Sequence, residues 1–135
     1  MKIPYSFSVL RYIHDIVIGE FINVGVVLYS PKTRFLSAIC TSRYVRLSKM
    51  FSNVSGDHFL QVSRYIQAKL EEEGERLSTQ LPSNKLPVSV LEFTTKVLPL
   101  DDSSLQFSPE GYGLTENPQE TLEQLYNRYV EQGKI

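Results

Sequence analysis

Residues 5–13 read YSFSVLRYI and residues 21–29 read FINVGVVLY, two runs rich in aromatic and β-branched side chains, separated by a segment that holds Asp15 and Gly19. Such composition favours strands, and a short polar connection between two strands favours an antiparallel hairpin. With the loop symmetric about Val17, Val9 faces Gly25, Phe7 faces Val27 and Arg11 faces Asn23. Side chains alternate along a strand. One face therefore collects Leu10 and Tyr12 with Ile22, Val24, Val26 and Leu28. The other collects Tyr5, Phe7, Val9, Val27 and Tyr29, interrupted by Arg11, Asn23 and Gly25. Two largely apolar faces predict a hairpin in the middle of a sheet, covered on both sides.

Working outward, Ser30-Pro31-Lys32-Thr33 has turn chemistry, and Arg34–Cys40 (RFLSAIC) resumes as a third strand. Residues 43–51 could form one helical turn. Beyond them Phe59, Val62, Ile66 and Leu70 keep helical spacing, which predicts a helix over 58–75 with Asp57 as its cap and Glu71, Glu72, Glu73 and Glu75 in solvent. Leu81–Pro87 is a connector. The stretch that follows, to Val97, is ambiguous between strand and helix, and Pro87 at a first helical position favours helix. After a break at Pro99–Ser103, Leu105–Ser108 and Tyr112–Thr115 are short enough to be edge strands around Pro109-Glu110-Gly111. In the last element Asn117 caps, Pro118 takes the first turn and Glu120 sits at its third position. Leu122, Leu125, Tyr126, Tyr129 and Val130 then form one apolar stripe ahead of Gly133. The expectation is one α+β domain over 1–135: an N-terminal antiparallel sheet covered by two to three helices, with the C-terminal helix docked on it.

Composition agrees with a globular chain. Of 135 residues, 41% are hydrophobic and 21% charged, enough for a core and too apolar for disorder. Cys40 is the sole cysteine, which excludes an internal disulfide and any cysteine-based metal cluster and suits a reducing compartment. No N-terminal apolar run resembles a signal peptide and no eighteen apolar residues occur in succession, so a cytoplasmic location away from membranes is expected. The net charge of −1 is unevenly spread: residues 1–64 carry eight Lys/Arg against three Asp/Glu, and the remainder six against twelve. That asymmetry fits a basic face, a head-to-tail contact or two solvated surfaces.

The sequence contains no Gly-rich phosphate loop, HExxH, GxSxG or EF-hand pattern. His14 and His58 are its only histidines, too few for a typical His-rich metal centre, and no metal or cofactor is expected. Cys40 has no His–Asn partners in pattern and reads as a small core residue rather than a nucleophile. One constellation stands out: Arg11, Glu20 and Asn23, with His14 and Asp15 close by in the loop. Arg11 and Asn23 share a face, and Gly25 opposite Val9 leaves room beside them. Polar groups in an apolar face must find partners. They form either a structural network, Arg11 paired with Glu20 or a later carboxylate and Asn23 bonded to backbone, or an anion pocket with Arg11 as a bidentate donor and Asn23 orienting. A second candidate is the basic stretch Lys32, Arg34, Arg43, Arg46 and Lys49, interleaved with Tyr29, Phe35, Tyr44 and Phe51. Such interleaving can hold single-stranded nucleic acid by phosphate contact and stacking. Five charges are few and no ribonucleoprotein aromatic motif accompanies them, so this reading ranks third.

Tyr5-Ser6, Val9-Leu10-Arg11-Tyr12, Gly19-Glu20-Phe21-Ile22-Asn23-Val24-Gly25-Val26-Val27, Arg46-Leu47, Gln106-Phe107-Ser108 and Asn117-Pro118 together resemble the bacterial family catalogued as domain of unknown function 3037. The RY followed by GEFxNVGVV is the specific part. The resemblance carries no established activity. It implies characteristic Arg, Glu and Asn positions at Arg11, Glu20 and Asn23, and an accessory protein encoded beside a HipA-like kinase. The leading expectation is thus an interaction protein partnering another bacterial protein such as that kinase. The alternatives are an enzyme or small-ligand binder at Arg11, Glu20 and Asn23, and nucleic-acid binding through Arg34, Arg43, Arg46 and Lys49.

Overall fold

A computed structural model describes residues 2–15, 20–41, 56–79, 86–97 and 105–131. The expected turn at 43–51, the break at 99–103 and Gly133 lie outside these residues. Two long strands, β1 (Ile3–Asp15) and β2 (Glu20–Ser30), form the central hairpin. β3 (Phe35–Cys40) pairs with the outer side of β2. The turn between them spans residues 31–34, and Arg34 closes it rather than opening the strand. Its φ of 53° is left-handed, an unusual conformation for a residue with a side chain. The side chain compensates by donating from Nη1 to the Leu77 carbonyl at 2.9 Å.

That carbonyl belongs to the last turn of α1 (Gly56–Thr79). α1 begins one residue ahead of the expected cap, Asp57, and runs four residues past the expected end, because Leu77 is also buried in the core. Ile66 and Leu70 are buried with it and Val62 is half-buried, as the helical spacing requires. Gly74 lets α1 lie directly on β3: a methyl group there would run into the Leu36 carbonyl.

α2 (Leu91–Val97) is helical, but Pro87 does not start it. Pro87 stands outside the helix, four residues ahead of its start, where its carbonyl accepts from the Tyr29 hydroxyl at 2.7 Å. At the helix start Glu92 reaches back over the entering chain, its carboxylate accepting from the Val88 N–H at 2.8 Å and more distantly from the Ser89 N–H at 3.5 Å.

β4 (Leu105–Phe107) and β5 (Gly111–Thr115) lie end to end along the outer side of β1. The sheet has five strands in the order β3-β2-β1-β4, with β5 also on β1. α3 (Pro118–Tyr126) follows, with the Asn117 side chain accepting from the Glu120 N–H at 3.2 Å, and continues as a π-helical turn, Asn127–Glu131. The fold is α+β, with α1 and α2 on one face of the antiparallel sheet and α3 on the other. No helix among the described residues is long and apolar enough to cross a membrane.

The hairpin register differs from the symmetric expectation at two places, at the loop, where Asp15 pairs with Glu20, and beyond Arg11. Arg11 does face Asn23, and Tyr12 and Ile13 face Ile22 and Phe21. Leu10, however, faces Gly25, so Val24 is an extra residue on β2, a β-bulge, and every later pair is displaced by one: Val9 meets Val26 and Phe7 meets Leu28. A one-residue slip exchanges the faces. Ile22 and Val24 stay with Leu10 against α1 and α2. Val27 and Tyr29 join them, while Val26 and Leu28 move to the α3 side with Val9, Leu122 and Val130. Gly25 correspondingly turns away from Arg11. A Cβ on it would lie 3.0 Å from the Cys40 sulfur, so its missing side chain makes room for Cys40 and not for a ligand.

Candidate functional site

On the α3 face, Val9, Arg11, Phe21 and Asn23 form the floor of an open cleft of about 380 Å³, walled by Tyr129 on one side and by Ser108–Gly111 on the other. Three backbone irregularities meet here. The first is the bulge at Val24. The second lies between β4 and β5, where Phe107 pairs with Leu10 and Gly111 with Phe7, one residue more than β1 supplies. Ser108 bridges the gap: its N–H donates to the Val9 carbonyl at 2.7 Å, and its hydroxyl accepts from the Val9 N–H at 2.9 Å. The third is the π-helical turn that carries Tyr129. Bulges and π-turns re-aim side chains and are over-represented beside functional sites.

The floor holds two buried polar atoms without a partner, Nε of Arg11 and Oδ1 of Asn23. Among the described residues Arg11 has no carboxylate partner; its guanidinium lies over the Phe21 ring, 4.4 Å from the centroid. Asn23 donates from Nδ2 to the Tyr129 carbonyl at 3.0 Å, which fastens the sheet to the π-turn. A carbonyl only accepts, so this bond fixes which end of the amide is which. Glu110 lines the cleft, but its carboxylate is held on the α1–α2 side of the sheet: Ser89 Oγ donates to it at 2.9 Å, and so does the hydroxyl of Tyr112, the residue opposite Ser6, at 2.8 Å. The latter bond, ahead of other causes, raises the Tyr112 pKa above the ordinary phenol value.

Of the residues singled out from the sequence, the structure brings Arg11 and Asn23 together on one face. Glu20 pairs with Asp15 along the backbone at the hairpin end, and its side chain, like those of Asp15 and His14, lies outside the described residues. Arg34 is spent on the end of α1. Arg43, Arg46 and Lys49 fall outside the described residues, as does the His58 side chain. Cys40 packs under α1 and β2, and burial first, with Glu71 adding to it, pushes its thiol up to about 12, the opposite of an activated nucleophile. Among the described residues no three of His, Cys, Asp and Glu gather into a metal site. A second cleft, about 310 Å³ between α1 and α2, is lined by charges that neutralise one another, Glu73 with Arg76 at 2.7 Å and with Lys96 at 3.3 Å.

Sequence reading missed both walls. Tyr129 was legible only as part of a helical stripe, and Ser108–Gly111 only as a turn. Nothing local marks either as neighbours of Arg11, since they reach it through pairing more than 90 residues along the chain.

A five-stranded α+β sheet with a polar-floored cleft under its C-terminal helix defines the class of molecule. Residues 7–130 match the family model described as Protein of unknown function (DUF3037), and the chain belongs to that family. No curated protein and no solved structure matches it.

Proposed function

We propose that this protein binds a small anionic ligand in the cleft between the sheet and the π-turn, with Arg11 as the anion-binding group and Asn23 orienting. The observation that carries the reading is the pair of buried, unpartnered polar atoms on the cleft floor. Native proteins satisfy nearly all such atoms, and one left orphaned costs about 1–3 kcal/mol. Asn23 bonds to backbone at Tyr129, as a structural network would have it, but its Oδ1 is left over and Arg11 has no carboxylate partner among the described residues. Here instead a guanidinium is kept in place by stacking on Phe21, which leaves its planar fork of N–H donors for a carboxylate or phosphate. Phe7, Phe21 and Tyr129 offer apolar surface for the ligand body.

The test is a titration of isotopically labelled protein with acetate, benzoate and inorganic phosphate at millimolar concentration, followed by amide chemical shifts. Salt-sensitive shifts at Arg11, Asn23 and Tyr129 that vanish in Arg11→Leu are expected. Unmoved resonances across the cleft with all three anions would sink the reading.

A second reading, an accessory protein for another bacterial protein such as a HipA-like kinase, draws support from the sheet edge. Among the described residues β5 pairs only with β1, and its Tyr112 and Leu114 are 72% and 63% exposed. Open strand edges with apolar side chains invite pairing with another chain. Co-purification with the kinase from the native host tests it, and clean separation at micromolar concentration counts against it.

A further inference from the structure

We infer that the free edge of β5 takes up one further strand, an extended segment of a partner protein that alternates apolar residues and carries Lys or Arg at its two ends. This rests on the sheet-edge reading above for the surface and adds the chemistry of the occupant. Pairing with β1 fixes which way each backbone group of β5 points. Pro4, opposite Leu114, has no N–H, and its carbonyl accepts from Ser30 Oγ on the β2 side. Val9, further along the same strand, turns its N–H and carbonyl outward to Ser108. The odd-numbered residues of β1 therefore bond outward, and opposite residues in an antiparallel ladder either bond to each other or do not bond at all. Gly111, Gly113 and Thr115 are taken by β1, which leaves the N–H and carbonyl groups of Tyr112 and Leu114 directed at the open edge.

The side chains of the same two residues supply the apolar contact. Tyr112 shares a face with its partner Ser6, whose hydroxyl accepts from the Val90 N–H, so the chain entering α2 lies alongside. Val88 and Leu91 in that chain join Tyr112 and Leu114, and four of the six large apolar residues exposed among the described residues gather at this edge. Gly111 and Gly113 lie under the Phe7 and Tyr5 rings, where a methyl group would collide, so the strand is pressed onto β1 with its backbone held for pairing. Charge decides the occupant. Residues 110–116 hold Glu110 and Glu116 and no Lys or Arg, and Glu92 stands exposed at the start of α2. A second copy that used both free residues would pair Tyr112 with Leu114 about Gly113, and would set Glu110 of one copy opposite Glu116 of the other at both ends. Like charges directly opposite destabilise a strand pair. A segment with Lys or Arg at those two places turns both repulsions into attractions, and its apolar residues opposite Tyr112 and Leu114 stand on the face that Val88 and Leu91 share.

The test is a phage-displayed library of random linear peptides panned on the full chain, with the enriched peptides synthesised and titrated by fluorescence anisotropy. Leu114→Pro removes one outward N–H and leaves the ladder with β1 whole, and native amide spectra establish that it folds. Enriched peptides that alternate apolar residues between basic ends are expected, binding at least tenfold more weakly to Leu114→Pro, and more weakly to Glu116→Lys and in high salt. No enrichment, enriched peptides with acidic ends, or equal binding to Leu114→Pro would each overturn the inference. So would a dimer in sedimentation that Leu114→Pro dissolves, because a second copy would then hold the edge. Co-purification of the kinase with no peptide at the edge removes the inference and keeps the accessory reading, whereas peptide binding with clean separation from the kinase does the reverse.

Discussion

Arg11 is the residue at which structural and functional accounts diverge most sharply. If it braced the fold, its removal would strip a buried partner from the network and cost more than 1 kcal/mol. Its Nε has no partner, so Leu removes an unsatisfied buried donor and gives up in exchange only the stacking of the guanidinium on Phe21. Arg11→Leu is therefore expected to leave stability to urea unchanged or to raise it by up to ~1–2 kcal/mol, the behaviour of residues held for function at the expense of stability. Denaturation midpoints at constant m-value check it. Gly74 behaves in the opposite manner. Alanine is the better helix former by about 1 kcal/mol. A methyl at this position meets the Leu36 carbonyl, so α1 must lift from β3. Gly74→Ala is expected to destabilise by ~2–3 kcal/mol in the same assay, overpacking outweighing propensity.

At the scale of elements, the single extra residue in β2 accounts for most of what sequence reading placed on the wrong face. Periodicity identified both strands and the hairpin, and the Arg11–Asn23 pair came out as expected because the shift between Ile13 and Asp15 and the shift between Leu10 and Arg11 bracket the three pairs Arg11–Asn23, Tyr12–Ile22 and Ile13–Phe21. It could not place Val26 to Tyr29, since FINVGVVLY is apolar at almost every position and a bulge leaves no gap in such a run. Pro87 misled for a similar reason: a proline that suits a first helical turn also suits the chain ahead of a helix, and only the distant Tyr29 hydroxyl distinguishes the two. The start and the buried stripe of the C-terminal helix were legible because cap, proline and stripe all point one way, whereas its π-helical last turn was not. The bulge itself is testable. In Gly25→Ala the new methyl would stand 3.0 Å from the Cys40 sulfur and 3.1 Å from the Ile39 carbonyl. A loss of ~1–3 kcal/mol is expected. Adding Cys40→Ala removes the first clash and leaves the second, so the double variant should recover about half of the loss, measured as a coupling energy in a double-mutant cycle.

For the whole molecule, the sheet separates two layers that ought to respond differently, the α1–α2 layer chiefly to alkaline pH and the α3 layer chiefly to ligand. Tyr29 lies in the first, its ring edge-on to Phe93 with centroids 4.9 Å apart. Burial foremost, with Glu92 adding and Arg34 opposing, raises its pKa from 10.0 to about 12. Cys40, in the same layer, is raised from 9.0 to about 12. Both groups are neutral in the fold and ionise more easily in the unfolded chain, which therefore binds fewer protons once pH passes the unfolded values. Their contribution to stability is whole below pH 9.0, begins to fall there through Cys40 and at 10.0 through Tyr29, and is lost as pH rises through about 12. Tyr126, on the α3 side and raised mainly by burial, adds to the same decline. Urea midpoints should accordingly be level from neutrality to pH 9.0 and drop steadily above it. Cys40→Ala should delay the onset, and Tyr29→Phe should flatten the decline above 10.0 at a cost of about 1 kcal/mol at neutrality from the lost bond to Pro87. Arg11 is not among the groups that shift any of the three, so Arg11→Leu should move the whole curve vertically without changing its slope. A changed slope that persists in Tyr126→Phe would mean that the cleft and the opposite layer are coupled through the sheet.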